Sequence, residues 1–282
     1  MRDDFLQTTL GRIGARIHRV GLSATYRPGT RTIQRALDEG INLLFCFGID
    51  SQMVSVIREI PPARRERYTI VTGAYNFIWG YPNLRRTLEK RLRQLRTDYI
   101  DAFLFLGVTK PKEMPDEIFE EFARFKEEGK IRAAGLSTHD RAFAGELAKR
   151  GAVDLLMIRY NAAHRGAERD VFPFLQPHNP AVISYTSTRW TYLMRAPKGW
   201  PKESPVPTAP MAYRFVLSNP DIHACLMAPA SEKQFVENLA GIRKGPLSEE
   251  EMRFMRDFGD HVYKTSKVFF SMADIRDLRR RN

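Results

Sequence analysis

The chain has 282 residues, 43% hydrophobic and 28% charged, a composition that excludes disordered and fibrous classes and supplies material for a sizeable core. Lys and Arg number 45 against 33 Asp and Glu, a formal net charge of +12, which permits acidic partners without naming one. Cys46 and Cys225 are the only cysteines and lie far apart, so neither a disulfide framework nor a CxxC metal site is expected. No apolar leader and no run of roughly 18 apolar residues is seen, so a cytoplasmic protein without a membrane partner is expected.

In chain order, LQTTLGRIGARIHRV predicts a two-stranded hairpin over 8–20, turning at Gly11 to Gly14. Eight β-rich apolar runs follow: GLSAT near 21, NLLFCF from 42, YTIVTGA from 68, YIDAFLFLGV from 99, IRAAGLST from 131, VDLLMIRYN from 153, AVISYTST from 181 and IHACLMAP from 222. Between them TRTIQRALDEG, NLRRTLEKRLRQL, DEIFEEFARFKEEG, RAFAGELAKRG and SEKQFVENLAG repeat apolar residues at i, i+3 or i+4, the helical spacing. Gly40, Gly129 and Gly151 stand where helices should stop. The arginines of RRTLEKRLRQLR read as the wet face of an amphipathic helix, because Leu88, Leu92 and Leu95 share the other side. The connection 189–210, rich in Pro, Lys and Trp, is the longest.

Repeated strand–helix units with continuous apolar strands imply a parallel sheet covered on both faces. Eight of them predict a (β/α)8 TIM barrel, one domain over 1–282, with the hairpin capping the barrel floor and a helical extension over 243–282. A doubly wound sheet is the competitor, but no GxGxxG follows the first strand.

In such a barrel the chemistry gathers where strands end and βα loops begin. That rule selects Phe47, Asp50, Gly73, Tyr75, Asn76, Leu106, Ser137, His139, Tyr160, Asn161, Tyr185, Arg189, Ser231 and Lys233. As catalytic candidates, Asp50 offers an acid or base, Tyr75 a phenol donor and His139 a group titrating near neutrality. Asn76 and Asn161 are candidates to orient a carbonyl, and Trp79, Trp190 and Trp200 to wall a pocket or pack the long loops. The set holds no metal-ligand constellation.

These residues resemble the aldo-keto reductases, NADP(H)-binding barrels that reduce aldehydes and ketones. ALDEGINLLFCFGID is similar to the family's A-x-x-x-G-I-N-F-F-D-T-A-x-x-Y-G, TDYIDAFLFLGV to T-D-Y-I-D-L-Y-L-I-H, EEGKIRAAGLST to G-K-I-R-A-I-G-V-S-N, MIRYNAAHR to Q-x-E-Y-N-x-x-x-R, and VISYTST to V-x-A-Y-S-P-L. FVLSNPDIHACLMAPASEKQFVENL resembles the family's cofactor-clamping C-terminal unit. The resemblance departs at the catalytic tetrad: the Asp, Tyr, Lys and His positions fall on Phe45, Asp50, Gly73 and Leu106. It also implies a cofactor set. Tyr185 matches the ring that stacks on nicotinamide, Ser137 matches half of the Ser-Asn pair that holds its amide, and Thr138 and Met157 replace the Asn and Gln. Ser231 and Lys233 open the helix after the eighth strand, where amides and a cation can hold a phosphate. Glu237 and Asn238 match the adenine-contacting pair.

The resulting expectation is an NADP(H)-binding oxidoreductase acting on a small carbonyl or alcohol with a non-standard acid group. A binding protein or regulatory pseudoenzyme, and a lyase or epimerase using Asp50, Tyr75 and His139, are the rivals. No specific nucleic-acid partner is expected, for want of a basic stripe interleaved with aromatics. Oligomeric state stays open.

Overall fold

The computed structural model describes residues 5–75 and 83–265. Among these, eight parallel strands close into a barrel: β3 (Val20–Ser23), β4 (Leu43–Phe45), β5 (Thr69–Tyr75), β6 (Ile100–Val108), β7 (Ile131–Thr138), β8 (Leu155–Arg159), β9 (Ala181–Tyr185) and β10 (Ala224–Met227), with β10 pairing back onto β3. Helices α1 (Thr30–Asp38), α2 (Ser51–Arg58), α3 (Leu84–Leu95), α4 (Asp116–Glu127), α5 (Arg141–Lys149), α6 (Ala167–Asp170), α7 (Ala209–Leu217) and α8 (Glu232–Ile242) connect them, and α9 (Glu249–Thr265) follows. Asn76, Trp79 and the rest of the extension, from 266 to 282, lie outside the described residues.

Most of the helices form because they have one apolar stripe to bury, whereas α7 is buried on every side from Ala212 to Leu217. α3 turns Leu84, Leu88, Leu92 and Leu95 inward and starts at Asn83, whose side chain accepts the Arg86 N–H at 2.7 Å. Its other face is not wholly solvated: Arg91 Nη2 donates to the Phe47 carbonyl at 3.3 Å and Gln94 Nε2 to the Gly48 carbonyl at 2.6 Å. This pins the loop after β4. Helices α2 and α7 have no counterpart among the periodic stretches read from sequence. The buried face of α2 is largely β-branched, with Val54, Val56 and Ile57, so local propensity points to a strand and tertiary packing overrides it.

Inside the barrel, alternate residues of each strand fill the lumen: Leu43 and Phe45, Val71, Ala102, Leu104 and Leu106, Ala133, Leu155 and Met157, Ala181 and Ile183, Ala224 and Leu226. Two glycines let neighbouring strands approach. A Cβ at Gly73 would overlap the Leu104 carbonyl oxygen, and one at Gly135 the Leu155 carbonyl oxygen.

The floor is closed by the hairpin β1 (Gln7–Thr9) and β2 (Arg16–His18), which puts Leu10 and Ile17, both at 0% exposure, beneath the lumen residues. Gly11, at φ 45°, sits so close to β9 that a Cβ would lie 2.6 Å from the Ala181 nitrogen. Arg12 Nη2 meets Asp154 Oδ1 at 2.7 Å, while Asp154 Oδ2 accepts the Ala134 N–H at 2.9 Å. Beside this, Arg65 is buried rather than solvated, and its guanidinium meets Asp101 at 2.7 Å.

Candidate functional site

The mouth is built by the last inward position of each strand. On the β4–β6 side it is apolar and aromatic. Phe45 and Phe47 meet edge to face at 4.7 Å, and Phe47 stacks on Tyr75 at 5.5 Å with the rings 9° from parallel. Tyr75 pairs in register with Leu106 of β6. Asp50 immediately precedes α2; its Oδ2 is buried without a hydrogen-bond partner. Burial raises the Asp50 pKa, against the Phe47 backbone hydrogen bond and the Arg27 charge. The Tyr75 pKa is raised by burial first, then by Tyr185 and Asp50, so all three groups act on one region.

The β7–β9 side is polar. Ser137 Oγ accepts the Gly107 N–H at 2.8 Å where the β6–β7 register shifts, so its own O–H remains available to donate. Tyr185 pairs in register with Arg159. The Tyr185 hydroxyl lies 3.3 Å from His139 Nδ1, the two rings edge to face at 5.8 Å. Burial, then the Arg159 charge, brings the His139 pKa down to about 4, so its imidazole is neutral at pH 7. Burial also raises the Tyr185 pKa, against a lowering by Arg159.

The structure therefore brings together Asp50, Tyr75, Ser137, His139 and Tyr185. It takes others elsewhere. Thr138 is buried and its Oγ1 accepts the Asp140 N–H at 2.9 Å, fixing the turn into α5. Tyr160, one residue out of the inward register, is buried between Glu168, which accepts its O–H at 2.7 Å, and Asn219, which donates to it at 3.1 Å. Asn161 is not placed to orient a carbonyl: at 0% exposure, its Oδ1 accepts the Ala163 and His164 N–H groups and its Nδ2 donates to the Thr186 carbonyl. These bonds hold the loops after β8 and β9. Trp200 packs against Phe258 of α9 at 4.8 Å.

After β10, Ser231 caps α8 by accepting the Gln234 N–H at 3.3 Å. The Lys233 side chain is 83% exposed and 3.9 Å from Glu237 one turn on. Asn238 is half-buried on the same helix.

The aldo/keto reductase family pattern matches residues 30–196, more than half of the chain. The chain belongs to the aldo/keto reductase family. It is 23% identical over 224 residues to the uncharacterized oxidoreductase YqkF of Bacillus subtilis, covering 69% of this chain and 72% of that one. It is 28% identical over 133 residues to an aldo-keto reductase of a Mycobacterium species, covering 45% and 48%. Among solved structures it resembles aldo-keto reductase AKR11C1 from Bacillus halodurans, with TM-score 0.74, 21% identity and coverage of 94% and 98%. It likewise resembles an aldo-keto reductase from Klebsiella pneumoniae in complex with NADPH, with TM-score 0.72, 22% identity and coverage of 94% and 99%. Family membership makes this an oxidoreductase barrel, and Arg159 on its β7–β9 side is what strand-end reasoning missed. Arg159 was legible from its spacing, since Leu155, Met157 and Arg159 share one face of β8 and a charge on a buried face is anomalous.

Proposed function

We propose that the chain is an NADP(H)-dependent oxidoreductase that interconverts a small carbonyl compound and its alcohol, using an acid group other than the family's usual one. The observation that carries this reading is the convergence of Asp50, Tyr75, Tyr185 and His139 at the strand ends of an aldo/keto reductase barrel. Its neighbour from Klebsiella pneumoniae holds NADPH, and the side chains here suit that group. Ser137 can donate to a carboxamide, the Tyr185 ring stands at the lumen edge, and the α8 amides with Lys233 and Asn238 suit a phosphate and adenine. Thr138 supports the cofactor site by shaping the turn beside Ser137.

A bound NADP(H) supplies or accepts the hydride. The chain's own task is then the proton that balances it, given to the substrate oxygen in reduction or taken from it in oxidation. His139 is neutral and cannot serve as an imidazolium at pH 7. Tyr75 is an inward-facing phenol that stays protonated, and Asp50, whose pKa burial raises and whose charge acts on Tyr75, is the candidate to exchange a proton with it. Phe45, Gly73 and Leu106 stand where the resemblance puts the family's Asp, Lys and His. They supply neither charge nor proton, which favours a second reading in which cofactor binds without turnover. NADPH binding by calorimetry, together with reduction of 4-nitrobenzaldehyde by wild type, Tyr75→Phe and Asp50→Asn, tests both. Turnover lost in Tyr75→Phe supports the first reading, binding without turnover selects the second, and no binding at millimolar NADPH overturns both.

A further inference from the structure

Among the described residues, the buried and half-buried guanidinium groups are mostly held by partners. Arg65 meets Asp101; Arg214 meets Glu251 and the Gly245 and Pro246 carbonyls; Arg19 meets the Phe5 and Ile222 carbonyls. Arg159, the last inward residue of β8 and beside Tyr185, has no ion pair and no side-chain hydrogen bond among the described residues. Burial lowers its pKa, and the groups opposing that are the phenols of Tyr185 and Tyr263, with no carboxylate among them. Arg159 is half-buried, and a charge withdrawn from water without a partner is costly enough that proteins rarely keep one idle.

Further cations act on the same space. Arg141 and Arg189 both interact with Arg159. Arg159, Arg189, Arg141 and His139, after burial itself, bring the His164 pKa down to about 3. The carboxylates of the flanking segments are engaged: Asp170 by Arg141 and Arg169, Asp260 by Arg165. Independently, the hydroxyl of Thr186, next to Tyr185, is buried without a hydrogen-bond partner. The loop it begins holds Thr186, Arg189, Trp190 and Thr191 at positive φ, between 49° and 73°. Non-glycine residues in that region store strain, which gathers at functional sites.

We propose that the β7–β9 side of the mouth is a carboxylate subsite, so that the substrate is a small carbonyl compound or alcohol carrying a carboxylate, held by Arg159. A planar guanidinium offers two parallel N–H donors to the two oxygens of a carboxylate. The substrate's reacting carbon would then lie toward Tyr75, on the side of the mouth that also holds Phe47 and Leu106, with Tyr185 beside the subsite. The carbonyl part rests on the oxidoreductase reading above; the anion subsite does not.

The test compares benzoate with benzamide, equal in shape and different in charge, by calorimetry at pH 7 on the protein alone and saturated with NADP+. Benzoate should bind at least about tenfold more tightly, the minimum for a charge-assisted hydrogen bond, in both forms. Arg159→Met should erase the difference and Arg159→Lys should keep part of it. Should the Met variant not fold, salt decides with wild type: raising ionic strength should weaken benzoate and leave benzamide unmoved. Equal binding of the two probes in a protein that binds NADPH overturns the carboxylate subsite alone. Displacement of benzoate by NADP+ also overturns it, because the cations would then be serving the cofactor's phosphates. Preference for benzoate in a protein that does not bind NADPH keeps the anion subsite and overturns the oxidoreductase reading.

Discussion

From β4 to β6 the strand ends bring Phe45, Phe47, Tyr75 and Leu106 to the mouth, whereas from β7 to β9 the same inward register brings Ser137, Arg159 and Tyr185. Below them the two sides are alike, filled by Leu, Ala, Val and Ile with one glycine each, Gly73 and Gly135, where strands press together. The difference teaches that lumen packing fixes which residue faces in and leaves open what chemistry the last inward residue carries. That is how one barrel can lose charged groups on one side and gain them on the other.

The largest expected effect tests the shared foundation. Gly73→Ala and Gly135→Ala each drive a Cβ into a neighbouring strand's carbonyl, so each should destabilise the protein by about 3 kcal/mol, read as a lower urea midpoint. A tolerated alanine on one side only would show that the two sides are not built alike. Next comes turnover. Because Gly73 and Leu106 stand where the resemblance puts the family's Lys and His, NADPH-dependent reduction of 4-nitrobenzaldehyde should run at least about 10²-fold below that of the Klebsiella pneumoniae neighbour, with Tyr75→Phe lowering it further. Ordinary rates would mean that the polar side has taken over the proton.

The pH response comes third. An unfolded histidine titrates near 6.5, while His139 folds with a value of about 4 and His164 with about 3. Below pH 6.5 the unfolded chain takes up protons that the folded chain refuses, so stability is complete above that pH and falls as pH drops toward 4. Each of the two should account for on the order of 2 kcal/mol of the loss. His18 and His223 at the floor are depressed also; comparing His139→Gln with wild type at pH 7 and pH 4.5 isolates the mouth, and an unchanged difference would remove His139 from the buried set. The smallest effect concerns Lys233. NADPH should bind more tightly than NADH, yet Lys233→Ala should weaken that preference by no more than about fivefold, because the side chain is 83% exposed. Calorimetry with both cofactors checks this.

The barrel, its hairpin floor and its strand ends were legible because apolar runs and helical spacing depend on burial, which repeats eight times. Helix α2 was hidden by β-branched residues whose local preference is for strands. The site was legible in part. Asp50, Tyr75, Ser137, His139 and Tyr185 follow from position at strand ends, but Asn161 and Thr138 turned out to spend their polar atoms on backbone groups of their own loops, and no one-dimensional pattern records which way a loop side chain turns. Arg91 was read with its neighbours as solvent-facing, and nothing in the sequence marked Arg65 as buried. Their partners, Asp101 on β6 and the Phe47 carbonyl, are 36 and 44 residues away, a separation at which spacing carries no signal.

The hairpin at the floor also governs traffic. With Leu10 and Ile17 sealed against the packed lumen and Gly11 tight on β9, the floor offers no approach among the described residues, which leaves the mouth as the entrance. On the proposed function, a dinucleotide at that mouth and a small substrate reaching the same strand ends would share one entrance. On that reading the expected kinetic order is cofactor first in and last out, with the substrate admitted and discharged while the larger molecule stays.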